Sequence, residues 1–141
     1  MEKKTRVLFL CTGNSARSQM AEAFLRLYGG SRFEAHSAGL EPKGINPCTR
    51  QVLAEVGVDM SGQTSKDLTV YLGKTHFGYL ITVCGNAEER CPIFPGVATR
   101  LYWPFDDPAA VDGPDDEKLA AFRRVRDAIE IRILAWLDVV A

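Results

Sequence analysis

Residues 6–10 carry a near-continuous apolar run, Val7-Leu8-Phe9-Leu10, the pattern of a strand buried on both faces of a parallel sheet. From 18 to 28 the apolar positions Met20, Phe24, Leu27 and Tyr28 recur at helical spacing, and Gly29-Gly30 stops the helix. A short strand follows at 33–37, with Ala38-Gly39 as a turn. Asn46-Pro47 opens a second helix, Pro47 sitting where its missing N–H does no harm; Val52, Leu53 and Val56 form its apolar face and Gly57 ends it. The spacing predicts a short helix over 65–72, a strand over 79–83 (Tyr-Leu-Ile-Thr-Val) and another over 99–103, then a Pro- and Asp-rich loop at 104–114. The last helix, 115–139, places Phe122, Val125, Ile129, Ile133, Trp136 and Leu137 in i, i+3, i+4 steps, and Asp115, Asp116 and Glu117 suit its N-terminal end electrically.

Strands alternating with helices imply βαβ units. The expected fold is α/β: a single domain, 1–141, with a four-stranded parallel sheet and helices on both faces. In such sheets ligands bind at the carboxyl ends of the strands. Cys11 stands at the end of the first strand and Cys84 at the end of the third, so the two thiols should emerge on one edge.

Composition narrows the function classes. Apolar content of 46% and charged content of 25% are those of an ordinary globule, and a net charge of −1 argues against binding nucleic acid or an anionic membrane through bulk charge. The apolar run after Lys3, Lys4 and Arg6 is too short for a signal peptide, and no stretch approaches membrane-spanning length, so a cytoplasmic location with reduced thiols is expected. Structural zinc is disfavoured, because six residues separate Cys84 from Cys91. His36 and His76 complete no ligand pattern and read as structural residues; no metal site is expected.

The chemistry concentrates at 11–22, Cys-Thr-Gly-Asn-Ser-Ala-Arg-Ser-Gln-Met-Ala-Glu. A strand ends in a cysteine, a small polar loop follows, and a helix begins. Successive N–H groups of such a loop form a concave nest for an oxyanion, and the helix N-terminus adds partial positive charge. Thr12, Gly13, Asn14, Ser15, Ala16, Arg17 and Ser18 are the expected oxyanion-binding residues, with Arg17 closing the pocket as a bidentate fork. The same field stabilises negative charge on the sulfur of Cys11, and Ser15 and Ser18 offer hydroxyls to it. The bare spacing Cys-x5-Arg occurs again at Cys84 and Arg90, but Glu88 and Glu89 in that second loop would repel a dianion.

Two further segments carry candidate chemistry. Cys84-Gly85-Asn86-Ala87-Glu88-Glu89-Arg90-Cys91-Pro92 is short and polar, with a thiol at each end. In a helix those thiols would lie on the order of 10 Å apart, so a bridge between them requires local unwinding; otherwise they are two unrelated structural cysteines. Asp106-Asp107-Pro108 lies among aromatic residues and prolines, where a carboxyl group suits general-acid work; alone it would read as a solvated acidic turn.

Together these segments, with His-Ser-Ala-Gly at 36–39, Asn46-Pro47 and Phe-Asp-Asp-Pro-Ala at 105–109, resemble the low-molecular-weight protein tyrosine phosphatase superfamily and, within it, the thioredoxin-coupled arsenate reductases. The resemblance implies reduction of arsenate to arsenite for arsenic detoxification. Cys11 attacks arsenic, Arg17 holds the oxyanion and Asp107 protonates the leaving hydroxide. Cys84 then takes the sulfur of Cys11, and Cys91 takes that of Cys84, leaving a disulfide for thioredoxin. No bound cofactor is implied, and a monomer is expected. Phosphomonoester hydrolysis on tyrosine, as main or weak side activity, remains open, as do a glutaredoxin- and glutathione-linked reductase and a redox sensor without catalysis. Many relatives carry another cysteine where Ala16 stands. Some bind potassium through residues matching Asn14, Glu22 and Ser37 plus an aspartate; Lys66 falls at that last place, with Asp67 one residue on. Cys48 matches no family role.

Overall fold

The computed structural model describes residues 4–140. Its strands are β1 (Thr5–Cys11), β2 (Phe33–Gly39), β3 (Phe77–Thr82) and β4 (Val97–Tyr102). Its helices are α1 (Arg17–Gly29), α2 (Pro47–Glu55), α3 (Gly85–Arg90) and α4 (Asp115–Val140). The strands form one parallel sheet in the order β2-β1-β3-β4. The chain runs outward from β1 to β2, then crosses back to β3 on the other side of β1. That reversal makes the carboxyl ends of β1 and β3 the natural place for a site.

The apolar run of β1 does what its pattern requires. Val7, Leu8, Phe9 and Leu10 are fully buried because both faces are covered. On one face Trp136 of α4 meets Phe33, Tyr79 and Trp103, and Trp103 meets Phe9. α1 packs on β1 and β2 and against α4, which also contacts α2. On the opposite face Tyr71 stands edge-on to His36, with Leu68 also in the core. All six apolar positions read for the last helix are buried. No described helix is long and apolar enough to cross a membrane.

Several local expectations are corrected. Met20 and Phe24 are buried as expected, together with Ala21, Ala23 and Leu25, but Leu27 and Tyr28 are exposed, and Tyr28 lies at the α1–α4 margin, donating to Glu130 at 2.5 Å. Val56 is also exposed, because α2 has ended at Glu55. Ala38-Gly39 is strand rather than turn, paired with Leu10 and Cys11. The helix expected over 65–72 is only a 3-10 turn at Leu68–Val70. Its first residues are extended: Lys66 O accepts from Gly39 N at 2.8 Å, and Asp67 bridges Gly39 in parallel fashion. A backbone committed to prolonging the sheet cannot also begin a helix, and the Asp67 carboxylate starts the turn by accepting from Thr69 N at 2.8 Å. Gly85–Arg90, not expected as an element, is helical, with the Cys84 sulfur accepting from Ala87 N at 3.4 Å as its cap.

Gly39 has no room for a side chain. A Cβ there would stand 2.8 Å from Thr12 O and 2.9 Å from Asn14 N, both backbone atoms. Gly39→Ala is therefore expected to destabilise the fold by about 1–3 kcal/mol, read as a lower Tm, and to weaken oxyanion protection of Cys11. An unchanged Tm would show that the loop has slack at this contact.

Candidate active site

The loop between β1 and α1 is built around Asn14. It is the one described non-glycine residue with positive φ, at 46°, and it is completely buried. Asparagine tolerates this left-handed backbone better than most residues. Its side-chain amide donates to Ser18 Oγ at 2.8 Å and to Ser37 Oγ at 3.0 Å, while its side-chain oxygen accepts from Lys66 N at 2.9 Å. Its own carbonyl accepts from Gln19 Nε2 at 3.1 Å. One residue thereby ties the loop to α1, to β2 and to the 64–67 segment.

The outer face of the same loop is left open. Cys11 Sγ lies 2.9 Å from Ser18 Oγ. Ala16, the N-cap of α1, offers no side-chain acceptor, and the first helical turn has no acidic residue. Its backbone donors are free to meet an anion. Thr12, Gly13, Ser15, Ala16 and Arg17 line an open cavity of about 610 Å³ with Cys11 on its surface. Asn14 and Ser18, expected among the oxyanion ligands, lie beneath the loop and support it.

The other expected residues divide in two. Asp107 joins the cavity: Arg17 donates to Phe105 O at 3.1 Å and holds a second nitrogen 3.8 Å from the Asp107 carboxylate. That carboxylate also accepts from Ala109 N at 3.0 Å, so the turn at Pro108–Ala110 fixes its place. Cys84 joins too, its sulfur 3.5 Å from Thr12 Oγ1. Cys91 does not. It caps the far end of α3, half-buried, and all four thiols are free. Burial pushes the Cys91 thiol up, with Glu88 adding to that and Arg100 opposing it. Arg90, the arginine of the second Cys-x5-Arg, closes no pocket; it pairs with Glu41 at 3.5 Å. His36 faces Tyr71 OH at 3.1 Å, and burial lowers its pKa; neither histidine lines the cavity.

Among the cavity residues that escaped the sequence reading are Asn86 and Lys43. Asn86, in the first turn of α3, donates to Thr12 Oγ1 at 2.7 Å. Lys43 lines the cavity from the segment after β2, where no motif marks it. Only the close approach of 41–43 to the loop brings it there, through Glu41 N to Thr12 O at 2.8 Å and Lys43 N to Gly13 O at 3.0 Å.

Beneath the loop, Glu22 is buried and well supplied with partners. It accepts from Ser37 Oγ at 2.6 Å, pairs with Arg26, and has Lys66 Nζ at 3.8 Å. Burial lowers the Lys66 pKa, while Glu22 raises it. Asp67 points elsewhere, capping its own turn. Among the described residues no cluster of three or more His, Cys, Asp or Glu is gathered around a metal-sized space.

Comparison with known proteins agrees with this geometry. The family described as low molecular weight phosphotyrosine protein phosphatase matches residues 6–141. An arsenate reductase of Halalkalibacterium halodurans is 46% identical over 138 residues, 98% of each chain. Among solved structures, an arsenate reductase in the phosphate binding state has a TM-score of 0.78 at 29% identity, over 97% of this chain and 99% of that one. The Corynebacterium glutamicum thioredoxin-dependent arsenate reductase has a TM-score of 0.71 at 30% identity, over 99% of this chain and 63% of that one.

The residues around Glu22 do not fit a potassium ion, and Lys66 stands where one would be held. Two cationic side chains already face the carboxylate, and the oxygen of Asn14 is taken by Lys66 N. Stability and turnover should therefore be equal in sodium and potassium salts of the same ionic strength, where general screening cancels. Lys66→Asp should create a preference for potassium. A potassium-selective gain in the native chain would show that Lys66 does not stand in for the ion.

Proposed function

This chain belongs to the low molecular weight phosphotyrosine protein phosphatase family, among its arsenate reductases, and on that footing we propose that it reduces arsenate to arsenite through a relay from Cys11 to Cys84 to Cys91, with thioredoxin as reductant. The observation that carries this reading is Cys84 on the rim of the oxyanion loop, its sulfur 3.5 Å from Thr12 Oγ1. A phosphatase needs the nucleophile, Arg17 and Asp107, but no second thiol there.

Arsenate sits in the loop against the backbone donors and Arg17. Cys11 Sγ forms a bond to arsenic, and Asp107 protonates the hydroxide that leaves as water. Cys84 Sγ then attacks Cys11 Sγ. The S–S bond forms, the S–As bond breaks, and its electron pair stays on arsenic, reducing As(V) to As(III). Thr12 is set to assist. Its oxygen accepts from Asn86, which leaves its own hydrogen free to point at Cys84. Cys91 next attacks Cys84 and frees Cys11. The two thiols stand at opposite ends of α3, on the order of 10 Å apart by the helical rise, so this exchange requires α3 to open. The short helix is held by bonds that can be released separately: Asn86 to Thr12, Thr82 to Glu88, Arg100 to Glu88 and Arg90 to Glu41. Opening would carry the disulfide outward to thioredoxin. The name of the Corynebacterium glutamicum relative supports that choice of reductant, as does a third thiol that a glutathione route would not need.

Trapping tests the order. Cys91→Ser should stop after one turnover with a Cys11–Cys84 disulfide, and Cys84→Ser should form no disulfide at all, both read by mass mapping. Because burial raises the Cys91 thiol, formation of Cys84–Cys91 should quicken as pH rises above neutral. Arsenite production should be supported by thioredoxin with its reductase and not by glutathione with glutaredoxin. Repeated turnover by Cys91→Ser with thioredoxin would remove the third thiol from the mechanism.

A further inference from the structure

Lys43 is exposed, yet its direction is set. Its backbone N–H donates to Gly13 O at 3.0 Å. Its stem lies along the loop: a Cβ added at Gly13 would meet Lys43 Cδ at 3.5 Å and Cγ at 3.6 Å. Lys43 is one of the residues lining the cavity that contains Cys11. No described carboxylate pairs with it, and Glu41, two residues before it, is engaged by Arg90 at 3.5 Å. Among the described residues the charged side chains lining the cavity are Arg17, Lys43 and Asp107. Arg17 already leans on Phe105 O and Asp107, so Lys43 is the uncommitted positive charge.

We propose that Lys43 is a specificity-determining residue that favours free inorganic oxyanions over substituted phosphates and phosphonates in this pocket. The inference rests on the oxyanion-pocket reading above and deepens it. A tetrahedral anion seated for attack by Cys11 presents three oxygens to the loop and one substituent outward, opposite the sulfur. In a phosphonate that outward position holds a carbon, and in an ester it holds an oxygen covered by its organic group. In free arsenate or phosphate it holds an uncovered oxygen, which a cation at the rim attracts. The loop donors and Arg17 serve both kinds of ligand alike, whereas the ammonium serves only the free ion. The organic group must also displace it. The lysine therefore acts on the difference between two affinities.

The test uses the full chain and equilibrium protection of Cys11 from iodoacetate, with inorganic phosphate and phenylphosphonate as probes. Both present three oxygens to the loop, and only phosphate has an outward oxygen. Lys43→Gln should weaken phosphate protection by about five- to ten-fold, the scale of one partly screened ion pair, and reduce its salt dependence. It should change phenylphosphonate protection less than two-fold. Lys43→Arg should restore the native preference, and Lys43→Glu should weaken phosphate further. An equal loss for both probes, or no loss for phosphate, overturns the proposal. Phosphate that fails to protect native Cys11 overturns both it and the pocket. Arsenite production is scored separately: a native chain that makes none, but whose phosphate protection depends on Lys43 as stated, refutes the reduction and leaves the selectivity standing.

Discussion

The site depends on one buried asparagine held in a left-handed backbone conformation. Asn14 has to turn the chain so that the loop's N–H groups face outward. That turn stands without a glycine because its side chain is bonded on every side, to Ser18, Ser37 and Lys66 N. The bonds run onward to the nucleophile through Ser18 and to the buried Glu22 through Ser37. In a fully buried position each bond replaces water that cannot reach it, so loss of one partner leaves an unsatisfied group. Gly39 completes the constraint by letting the loop's backbone lie directly on β2.

The two sides of this loop separate two electrostatic tasks. Beneath it, Glu22 is neutralised by Arg26, Lys66 and the Ser37 hydroxyl. Above it, the loop has no charge of its own until Arg17, and the cavity gains only Lys43 and Asp107. Under the proposed reading an arriving anion meets backbone donors and cations, while the carboxylate that braces the loop stays hidden below. The bracing is rigid because it is buried and fully bonded; the mouth is adaptable because its charged groups have long stems or lie on turns.

Stability is distributed to match. β1 is sealed on both faces, so Cys11 stands at the end of a fully buried strand. α3, which separates Cys84 from Cys91, has six residues and is fastened by a few polar contacts. A helix of that length has little intrinsic stability. A thiol at the end of a buried strand beside a short helix is the arrangement that the proposed thiol exchanges require.

Much of this was legible in the residues. The apolar run of β1 and the periodicity of α4 determined a parallel α/β fold, and the neutral loop between Cys11 and Arg17 pointed to Cys11 as the candidate nucleophile, because burial patterns and loop chemistry are local properties of a chain. The pairing of Cys11 with Cys84 on one edge also followed, since both stand at strand ends. Tertiary structure alone decided what depends on approach between distant segments. The 64–67 segment became extended because it found Gly39, overriding its helical spacing. Leu27 and Tyr28 stayed outside because α4 covers a narrower stripe of α1 than apolar spacing suggests. Lys43 entered the cavity, Lys66 rather than Asp67 turned toward Glu22, and Asn14 and Ser18 went beneath the loop, for a single reason. A side chain's direction is set by the backbone bonds that pin its own segment to others, and those bonds form only in the folded chain.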